Sequence, residues 1–242
     1  MTVIKSFFLR LYKIIKSLLL VFLIYNALVI FVILFFRFID PSSTAFIYSK
    51  IEEPFISLFD TEDIKYKPVS LNNISYTAPL AVIASEDQTF FEHFGFDFEQ
   101  IEKAMKENSR RKRQRGASTI TMQVSKNLFL WSGKNIVRKG LEAYYTLLLE
   151  VFWSKKRIIE VYLNVAEMGK GIYGVNEAAR IYYRKSSSKL NMSEAATLAA
   201  ILPNPVKRNP VRPSGYVIGR RSRIITQMNL IGGKTFIKEN LY

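Results

Sequence analysis

The sequence predicts a mainly α-helical protein that carries a single membrane-spanning helix near its N-terminal end. Three observations support this fold class. An unbroken apolar run lies near the N-terminus, apolar residues after residue 76 recur at helical spacing behind capping residues, and no segment shows the clean two-residue alternation of a half-buried strand. With 242 residues, the chain has room for one sizeable domain besides the anchor.

The apolar run extends over residues 18–36 and reads LLLVFLIYNALVIFVILFF, with Asn26 as its only strongly polar residue. A helix of this length would be roughly 28 Å long, close to the ~30 Å hydrocarbon core of a bilayer. A cleaved signal peptide or a buried core helix is the alternative. The apolar part of a signal peptide is shorter, however, at about 7–15 residues, and no small-residue cleavage site follows here. We therefore predict a retained anchor at 18–36 and a cytoplasmic tail at 1–17.

Charges beside this run predict its orientation. Four basic residues and no acidic one precede it, whereas only Arg37 lies between it and Asp40. Because basic flanks stay in the cytoplasm, we expect a cytoplasmic N-terminus and an extracytoplasmic main domain. After Arg37 the chain holds 30 basic and 20 acidic residues, a net charge of +10 that favours anionic partners such as phospholipid headgroups or pyrophosphates.

Several functional classes are excluded or disfavoured by composition. The chain has no cysteine and a single histidine, His93, so disulfides and cysteine-ligated metals are excluded and a histidine-rich metal cluster is disfavoured. The run RRKRQR at 110–115 is basic enough for a nucleic-acid patch, but no nucleic-acid-binding motif accompanies it. We interpret it as a solvated basic loop, or as a loop that lies against the membrane surface, and expect no nucleic-acid partner.

The segment at 37–75 is irregular and is interpreted as a juxtamembrane spacer or small lobe before the main domain at 76–242. Within that domain, apolar spacing and N-capping residues predict helices at 78–91, 97–108, 137–153, 154–164 and 191–202. Asp97 and Ser154 are the expected N-caps of two of them. Asn191 and Glu194 form a capping pair for the last helix, which Pro203 ends.

Two glutamates, Glu86 and Glu142, are the candidate reacting groups. Glu86 lies in SEDQTF at 85–90, and Glu142 ends RKGLE at 138–142. Between them, GASTITMQVSKN at 116–127 supplies small and hydroxyl-bearing residues next to cations. Two carboxylates in such surroundings suit acid/base chemistry on a sugar that carries a phosphate leaving group.

Five ordered blocks of the sequence carry a family resemblance: Glu86-Asp87 with Phe90, His93, Gly95 and Asp97; residues 116–127; Arg138-Lys139 with Glu142; Lys156 with Ile159-Glu160 and residues 162–164; and Glu194-Ala195-Ala196 leading into residues 202–205. In these blocks the chain resembles the monofunctional peptidoglycan glycosyltransferases, which are related to the glycosyltransferase module of bifunctional penicillin-binding proteins. Together they cover roughly residues 76–210. The resemblance implies a lysozyme-like, two-lobed, mainly α glycosyltransferase domain.

The resemblance also implies a reaction and its residues. Glycan strands would grow from lipid II: the 4-hydroxyl of an acceptor N-acetylglucosamine attacks the anomeric carbon of a donor N-acetylmuramic acid, with inversion and release of undecaprenyl pyrophosphate. Glu86 and Glu142 would be catalytic, with Glu86 as the base. The residues expected to bind substrate or pyrophosphate are Ser118, Thr119, Gln123, Lys126, Asn127, Arg138 and Lys139. Mg²⁺ or Mn²⁺ at the donor pyrophosphate is the candidate cofactor, without an identified ligand residue, and no organic cofactor is expected.

The implied setting is the bacterial inner membrane, with the catalytic domain in the periplasm. Expected partners are lipid II, the growing strand, the membrane, and cell-wall synthesis or division proteins. Two positions depart from the family pattern: Ala117 stands where a glycine is usual, and Met122 replaces the first of two glutamines. Alanine restricts the backbone relative to glycine, and Met122 removes one donor and one acceptor.

Two other functions stay open at this point. A lytic enzyme of lysozyme-like fold would cleave finished glycan, although the anchor and the cations around Glu142 favour a lipid-linked donor. A non-enzymatic scaffold of a cell-wall complex is the other alternative. A transpeptidase is disfavoured because SSSK at 186–189 stands without the Ser-Asp-Asn and Lys-Thr-Gly motifs that such enzymes need.

Overall fold

A computed structural model of the chain describes residues 2–48, 64–109, 116–133 and 135–242. The basic run at 110–115 and part of the juxtamembrane segment predicted at 37–75 lie outside the described residues. The chain divides into two compact units, Met1–Ile39 and Asp40–Tyr242. The domain boundaries predicted at 17, 36 and 75 stay predictions.

The first unit is dominated by one long helix, α1 (Thr2–Phe36). Its segment Lys5–Phe36 is long and apolar enough to cross a membrane by length and composition, which fits the predicted anchor. The residues predicted as a tail are helical from Thr2 onward. Asn26 donates its side-chain amide to the carbonyl of Phe22 at 2.7 Å, so the polar residue of the apolar run is bonded within the helix.

The second unit is mainly α-helical, as the sequence predicts. Its helices are α2 (Ala45–Tyr48), α3 (Thr77–Glu86), α4 (Phe98–Asn108), α5 (Ile120–Phe129), α6 (Ile136–Phe152), α7 (Lys155–Val165), α8 (Val175–Tyr183), α9 (Met192–Ile201), α10 (Gly215–Leu230) and α11 (Gly233–Leu241), with short 3₁₀ helices at Leu71–Asn73 and Ser187–Lys189. The expected N-caps are confirmed: Asp97 and Ser154 accept from the amides of Gln100 and Arg157, and Asn191 forms a capping box with Glu194.

A small sheet accompanies the helices and was not predicted. Its strands are β1 (Lys65–Tyr66), β2 (Glu167–Gly169) and β3 (Ile172–Tyr173), in the order β1-β3-β2. β3 pairs parallel with β1 and antiparallel with β2. Strands of two or three residues are too short to produce a periodic pattern, so the sequence carries no signal for them.

The core is built around two helices that are apolar on all sides. Residues 77–84 of α3 and 195–201 of α9 are buried, and the two helices pack against each other with α10 against both. A second group forms where α5 packs against α6 and α7. Because α3 ends at Glu86, the candidate base is held at the end of a helix whose first eight residues are buried.

The sequence-based prediction for this helix was wrong at its C-terminal end, since it extended to residue 91. Asp87 leaves the helical conformation, with φ −162° and ψ 78°. Its carboxylate instead accepts the backbone amide of Ile120 at 2.9 Å and lies 2.8 Å from Nε2 of His93. These bonds tie the end of α3 to the start of α5, and they outweigh continued helical pairing.

Candidate active site

Glu86 is a largely buried carboxylate that is held by side chains from two other helices. Its Oε1 accepts a hydrogen bond from Nη2 of Arg220 in α10 at 3.0 Å, and its Oε2 accepts one from Nε2 of Gln123 in α5 at 3.2 Å. Burial raises the pKa of Glu86 above the usual range, and the neighbouring Asp87 raises it further, whereas Arg220 and Gln123 lower it. Burial prevails, so the carboxylate is a stronger base than an exposed glutamate.

A cleft of about 310 Å³ opens in front of Glu86. It is lined by residues 85–89, 97, 100, 103 and 116–119. The structure therefore brings the predicted base together with the small, hydroxyl-bearing loop that the sequence placed more than thirty residues away. A carboxylate at the edge of a polar cleft has room for a sugar hydroxyl to approach it.

The loop before α5 is fixed by Thr119. Its hydroxyl donates to the carbonyl oxygen of Gly95 at 2.7 Å and accepts the amide of Met122 as the N-cap of α5. Gly95 has φ +80°, and a Cβ at this position would lie 2.8 Å from Cγ2 of Thr146. The backbone can approach α6 this closely only without a side chain, and this approach determines where the loop lies.

Glu142 lies in a cluster with two cations on α6. Its Oε2 is 3.1 Å from Nη1 of Arg138 and its Oε1 is 2.5 Å from Nζ of Lys139. The Glu142 side chain is only 4% exposed and that of Arg138 10%, whereas Lys139 is 49% exposed. Nζ of Lys139 also lies 3.5 Å from Oγ of Ser118 in the cleft wall, which joins this cluster to the cleft in front of Glu86.

Known proteins of one family are similar to this chain. A family model described as Transglycosylase matches residues 53–229. The biosynthetic peptidoglycan transglycosylase of Bacteroides thetaiotaomicron is 54% identical over 167 residues, 69% of this chain and 67% of that relative. Proteins of the same name from Salmonella arizonae and Escherichia coli O157:H7 are each 56% identical over 173 residues, 71% of this chain and 72% of each relative.

The chain belongs to the peptidoglycan transglycosylase family. The resemblance seen in the sequence is thereby confirmed, and the protein is an enzyme of glycosyl transfer in peptidoglycan synthesis. Its N-terminal apolar helix is consistent with membrane anchoring.

The remaining predicted site residues of this transglycosylase lie on α5. Gln123 and Lys126 are half-buried and share one face of the helix at i and i+3, whereas Asn127 is buried; all three lie outside the cleft lining. The hydroxyl of Thr119 is engaged in the fold, and Ser118 is the exposed hydroxyl of the cleft loop. A direct contact of each residue with substrate stays a prediction.

The two departures from the family pattern leave the transglycosylase cleft intact. Ala117 lines the cleft, and it is not among the described non-glycine residues with positive φ, so its methyl group imposes no left-handed strain. Met122 is 4% exposed and lies outside the cleft lining. A glutamine at position 122 would therefore have to be accommodated in the core, where methionine packs without needing hydrogen-bond partners.

Two residues that contact the Glu86 network were missed by sequence reasoning. Arg220 follows Glu86 by 134 residues in the chain and reaches it only because α10 packs against α3. Tyr162 is buried in α7, and its hydroxyl donates to Oε1 of Gln123 at 3.2 Å. Arg220 has no local sequence signal, since an arginine on a partly exposed helix is an ordinary surface residue, whereas Tyr162 lies in the family block at 159–164 but was given no role of its own.

Proposed function

We propose that this transglycosylase elongates glycan strands from lipid II, with Glu86 as the general base. The observation that carries the proposal is a carboxylate of raised pKa, held from both sides, at the wall of a polar cleft. A sugar hydroxyl is a poor nucleophile at neutral pH, and a positioned base corrects that deficiency.

In the proposed step, the 4-hydroxyl of the acceptor N-acetylglucosamine transfers its proton to Glu86. The oxygen forms a bond to the anomeric carbon of the donor N-acetylmuramic acid while the bond from that carbon to the phosphate oxygen breaks. The electron pair of the broken bond leaves with undecaprenyl pyrophosphate. Attack from the face opposite the leaving group inverts the anomeric configuration from α to β.

The leaving group is already an anion, so it needs positive charge rather than a proton. Arg138, Lys139 and Lys126 are the cations that we assign to it. Glu142 supports this assignment as an organising group, because its two oxygens hold Arg138 and Lys139 on one side of α6. The partly exposed Lys139 also lies beside Ser118 of the cleft wall, where a pyrophosphate could replace solvent.

The hydroxyl of Ser118 and the amide of Gln123 are proposed to hydrogen-bond the sugars or phosphates. Thr119 and Asn127 are proposed to contribute to substrate binding mainly by shaping the loop and α5, because the first is bonded within the fold and the second is buried. Replacing Ser118 by alanine should therefore raise KM for lipid II and have little effect on the melting temperature.

A divalent cation at the pyrophosphate stays a prediction. Among the described residues, no group of three or more histidines, aspartates or glutamates could hold a metal ion. The described side chains therefore offer no cluster of three protein ligands for Mg²⁺ or Mn²⁺, and we derive no step through either ion. Polymerisation measured after EDTA treatment, and again after adding Mg²⁺ or Mn²⁺, decides whether an ion that arrives with the substrate is needed.

The proposed setting is the bacterial inner membrane, with the N-terminus in the cytoplasm and the catalytic unit in the periplasm. The basic flank of α1 and the net charge of +10 beyond residue 37 support it. Lipid II presents its pyrophosphate at the membrane surface, so an anchored, basic domain is suited to find it. Cell-wall synthesis or division proteins are proposed as further partners.

The test uses the full-length protein in detergent micelles, incubated in parallel with lipid II and with finished glycan. Wild-type enzyme should convert lipid II to polymer, and Glu86→Gln should lose about 10²–10⁴-fold in rate, the range typical of a lost general base. Glu92→Gln is the matched control, because Glu92 is an exposed glutamate close to Glu86 in the chain.

Shortening of finished glycan without polymer growth would instead identify a lytic enzyme. Equal polymer formation by Glu86→Gln and wild type would remove Glu86 from the chemistry. A protein that is folded but never forms polymer would support the scaffold alternative.

A second test addresses the leaving group. Arg138→Ala should lower turnover more than it weakens acceptor binding, because the developing charge belongs to the donor. Lys139→Met is the companion variant, since its half-exposed side chain can be replaced with little effect on folding. Unchanged turnover in both variants would remove these cations from the pyrophosphate site.

A further inference from the structure

Glu86 is held entirely from outside its own helix, and the two holding groups are of different kinds. Arg220 of α10 is a cation bonded to Oε1, and Gln123 of α5 is a neutral amide bonded to Oε2. An amide side chain can present either its NH₂ group or its carbonyl oxygen, since the two ends are nearly the same size. Something must therefore keep the NH₂ group of Gln123 directed at Glu86.

Tyr162 supplies that constraint. Its ring is 1% exposed in α7, and its hydroxyl donates to Oε1 of Gln123 at 3.2 Å. Burial raises the pKa of Tyr162 well above 10, and the charges of Glu86 and Asp87 add to this, so the phenol stays protonated and acts as a donor. If the Gln123 amide were flipped, its carbonyl oxygen would face the charged carboxylate of Glu86, so two acceptors would oppose each other. The Tyr162 hydroxyl would also lose its acceptor.

Arg220 acts on Oε1 of Glu86 through its positive charge and through the direction of its hydrogen bond. Its side chain is 23% exposed and that of Glu86 16%, so the pair lies in a partly desolvated place. Among the described residues, the charged groups that shift the pKa of Glu86 are Arg220 from α10 and Asp87 at the end of α3, the Tyr162 phenol of α7 is influenced by the charge of Glu86, and Asp97 and Lys103 line the same cleft. Arg220, together with the Gln123 amide, lowers the pKa of Glu86 and so offsets part of the effect of burial.

We propose that Tyr162 and Arg220 are positioning residues for the base: Arg220 holds one oxygen of Glu86 directly, and Tyr162 fixes the Gln123 amide that holds the other. The proposal rests on the proposed role of Glu86 and deepens it. The outcome is a carboxylate whose remaining lone pairs are directed into the cleft. The hydrogen-bonded sequence Tyr162–Gln123–Glu86–Arg220 joins α7, α5, α3 and α10 at one point.

The Tyr162 half is tested with a double-mutant cycle on the full-length enzyme, with lipid II as substrate. Tyr162→Phe removes only the hydroxyl, and Gln123→Met removes the amide at nearly constant volume. If Tyr162 acts through Gln123, each single variant should lose about tenfold or more in kcat, and the double variant should be no slower than Gln123→Met alone. Tyr182→Phe is the matched control, because its hydroxyl donates to the carbonyl of Met168, outside this network.

Losses that multiply in the double variant would show that Tyr162 acts independently of Gln123 and would overturn this half. The role proposed for Tyr162 would also be overturned if Tyr162→Phe polymerised lipid II as fast as wild type and Tyr182→Phe. Should Tyr162→Phe fail to fold, the Arg220 variants below decide the proposal.

The Arg220 half is tested by the pH profile of kcat. Arg220→Met removes the cation that lowers the pKa of Glu86, so that pKa rises and the acidic limb moves to higher pH. Arg220→Lys keeps the positive charge but replaces the planar guanidinium, whose Nη2 bonds Oε1 of Glu86, by a flexible ammonium, so the limb should stay near that of wild type while kcat falls. Arg180→Met is the control, since Arg180 pairs with Glu177 on α8.

The combined measurements separate this inference from the proposed function. If Glu86→Gln is inactive while the Arg220→Met profile superimposes on that of wild type, the positioning role is wrong and the base assignment survives. If Glu86→Gln polymerises normally, both are wrong. A merely structural role for Arg220 would lower the melting temperature without moving the acidic limb.

Discussion

Glu142→Gln tests whether the second glutamate organises cations or acts on substrate directly. Replacing the carboxylate by an amide removes the charge that pairs with Arg138, at 3.1 Å and nearly buried, and with Lys139, which is half-exposed. Breaking a buried pair from one side costs about 3–5 kcal/mol, and an exposed pair contributes about 0–1 kcal/mol. Since glutamine keeps one acceptor for Arg138, we expect a loss of about 3 kcal/mol.

For a unit of this size, a loss of about 3 kcal/mol corresponds to a fall in melting temperature of roughly 6–12 °C. The assay is thermal unfolding of the purified protein, run beside initial rates of polymerisation at several lipid II concentrations. Glu102→Gln is the matched control, because Glu102 forms an ion pair with Lys106 at the same i, i+4 spacing on an exposed face of α4. Its melting temperature should change by no more than about 2 °C.

Activity of Glu142→Gln should fall together with stability, and KM for lipid II should rise as the cations lose their fixed positions. A variant that melts like wild type and has lost all turnover would refute this reasoning, because Glu142 would then act on the substrate itself. A variant unchanged in both respects would show that the pair contributes to neither.

Three further predictions follow from the cleft and its supports. Gly95→Ala should lower the free energy of unfolding by about 2–4 kcal/mol in a denaturant titration, because a Cβ at φ +80° would lie 2.8 Å from Thr146 and 3.0 Å from Glu150. A loss below about 1 kcal/mol would mean that the loop moves freely. Thr119→Val should cost about 1–2 kcal/mol, as an N-cap and the bond to the Gly95 carbonyl are lost, and should also lower turnover; stability equal to wild type would contradict the capping role. Burial raises the pKa of Glu86, so its base form is lost as pH falls through that raised value. The acidic limb of the pH–rate profile should therefore lie at higher pH than for an exposed glutamate, and a limb near pH 4 would contradict this prediction.

Sequence patterns predicted those features of the fold that depend on interactions between residues close together in the chain. Capping side chains such as Asp97 and Ser154 bond to amides three residues away, so the sequence alone contains both partners. The Arg138–Glu142 pair was predictable for the same reason, since i and i+4 residues meet on a helix. The apolar run at 18–36 predicted a helix long enough to span a membrane, and α1 covers this run.

Long-range contacts were beyond this reasoning. The end of α3 is determined by Asp87, whose partner Ile120 follows it by 33 residues, so helical spacing alone placed the boundary too late. The contact between Arg220 and Glu86 depends on the packing of α10 across the core. Family resemblance placed Glu86 in a catalytic block, but only the folded structure identifies which side chains hold it.

The distance along the chain between Glu86 and Arg220 has a consequence for biosynthesis. The ribosome completes Glu86, the cleft loop and the cations of α6 well before it reaches α10. Until those last helices are made and packed, one oxygen of Glu86 has no guanidinium beside it, and the proposed site of a nascent chain is unfinished. Premature termination between residues 206 and 219 would therefore yield a product that retains the sequence blocks of the family but lacks this arm of its proposed site.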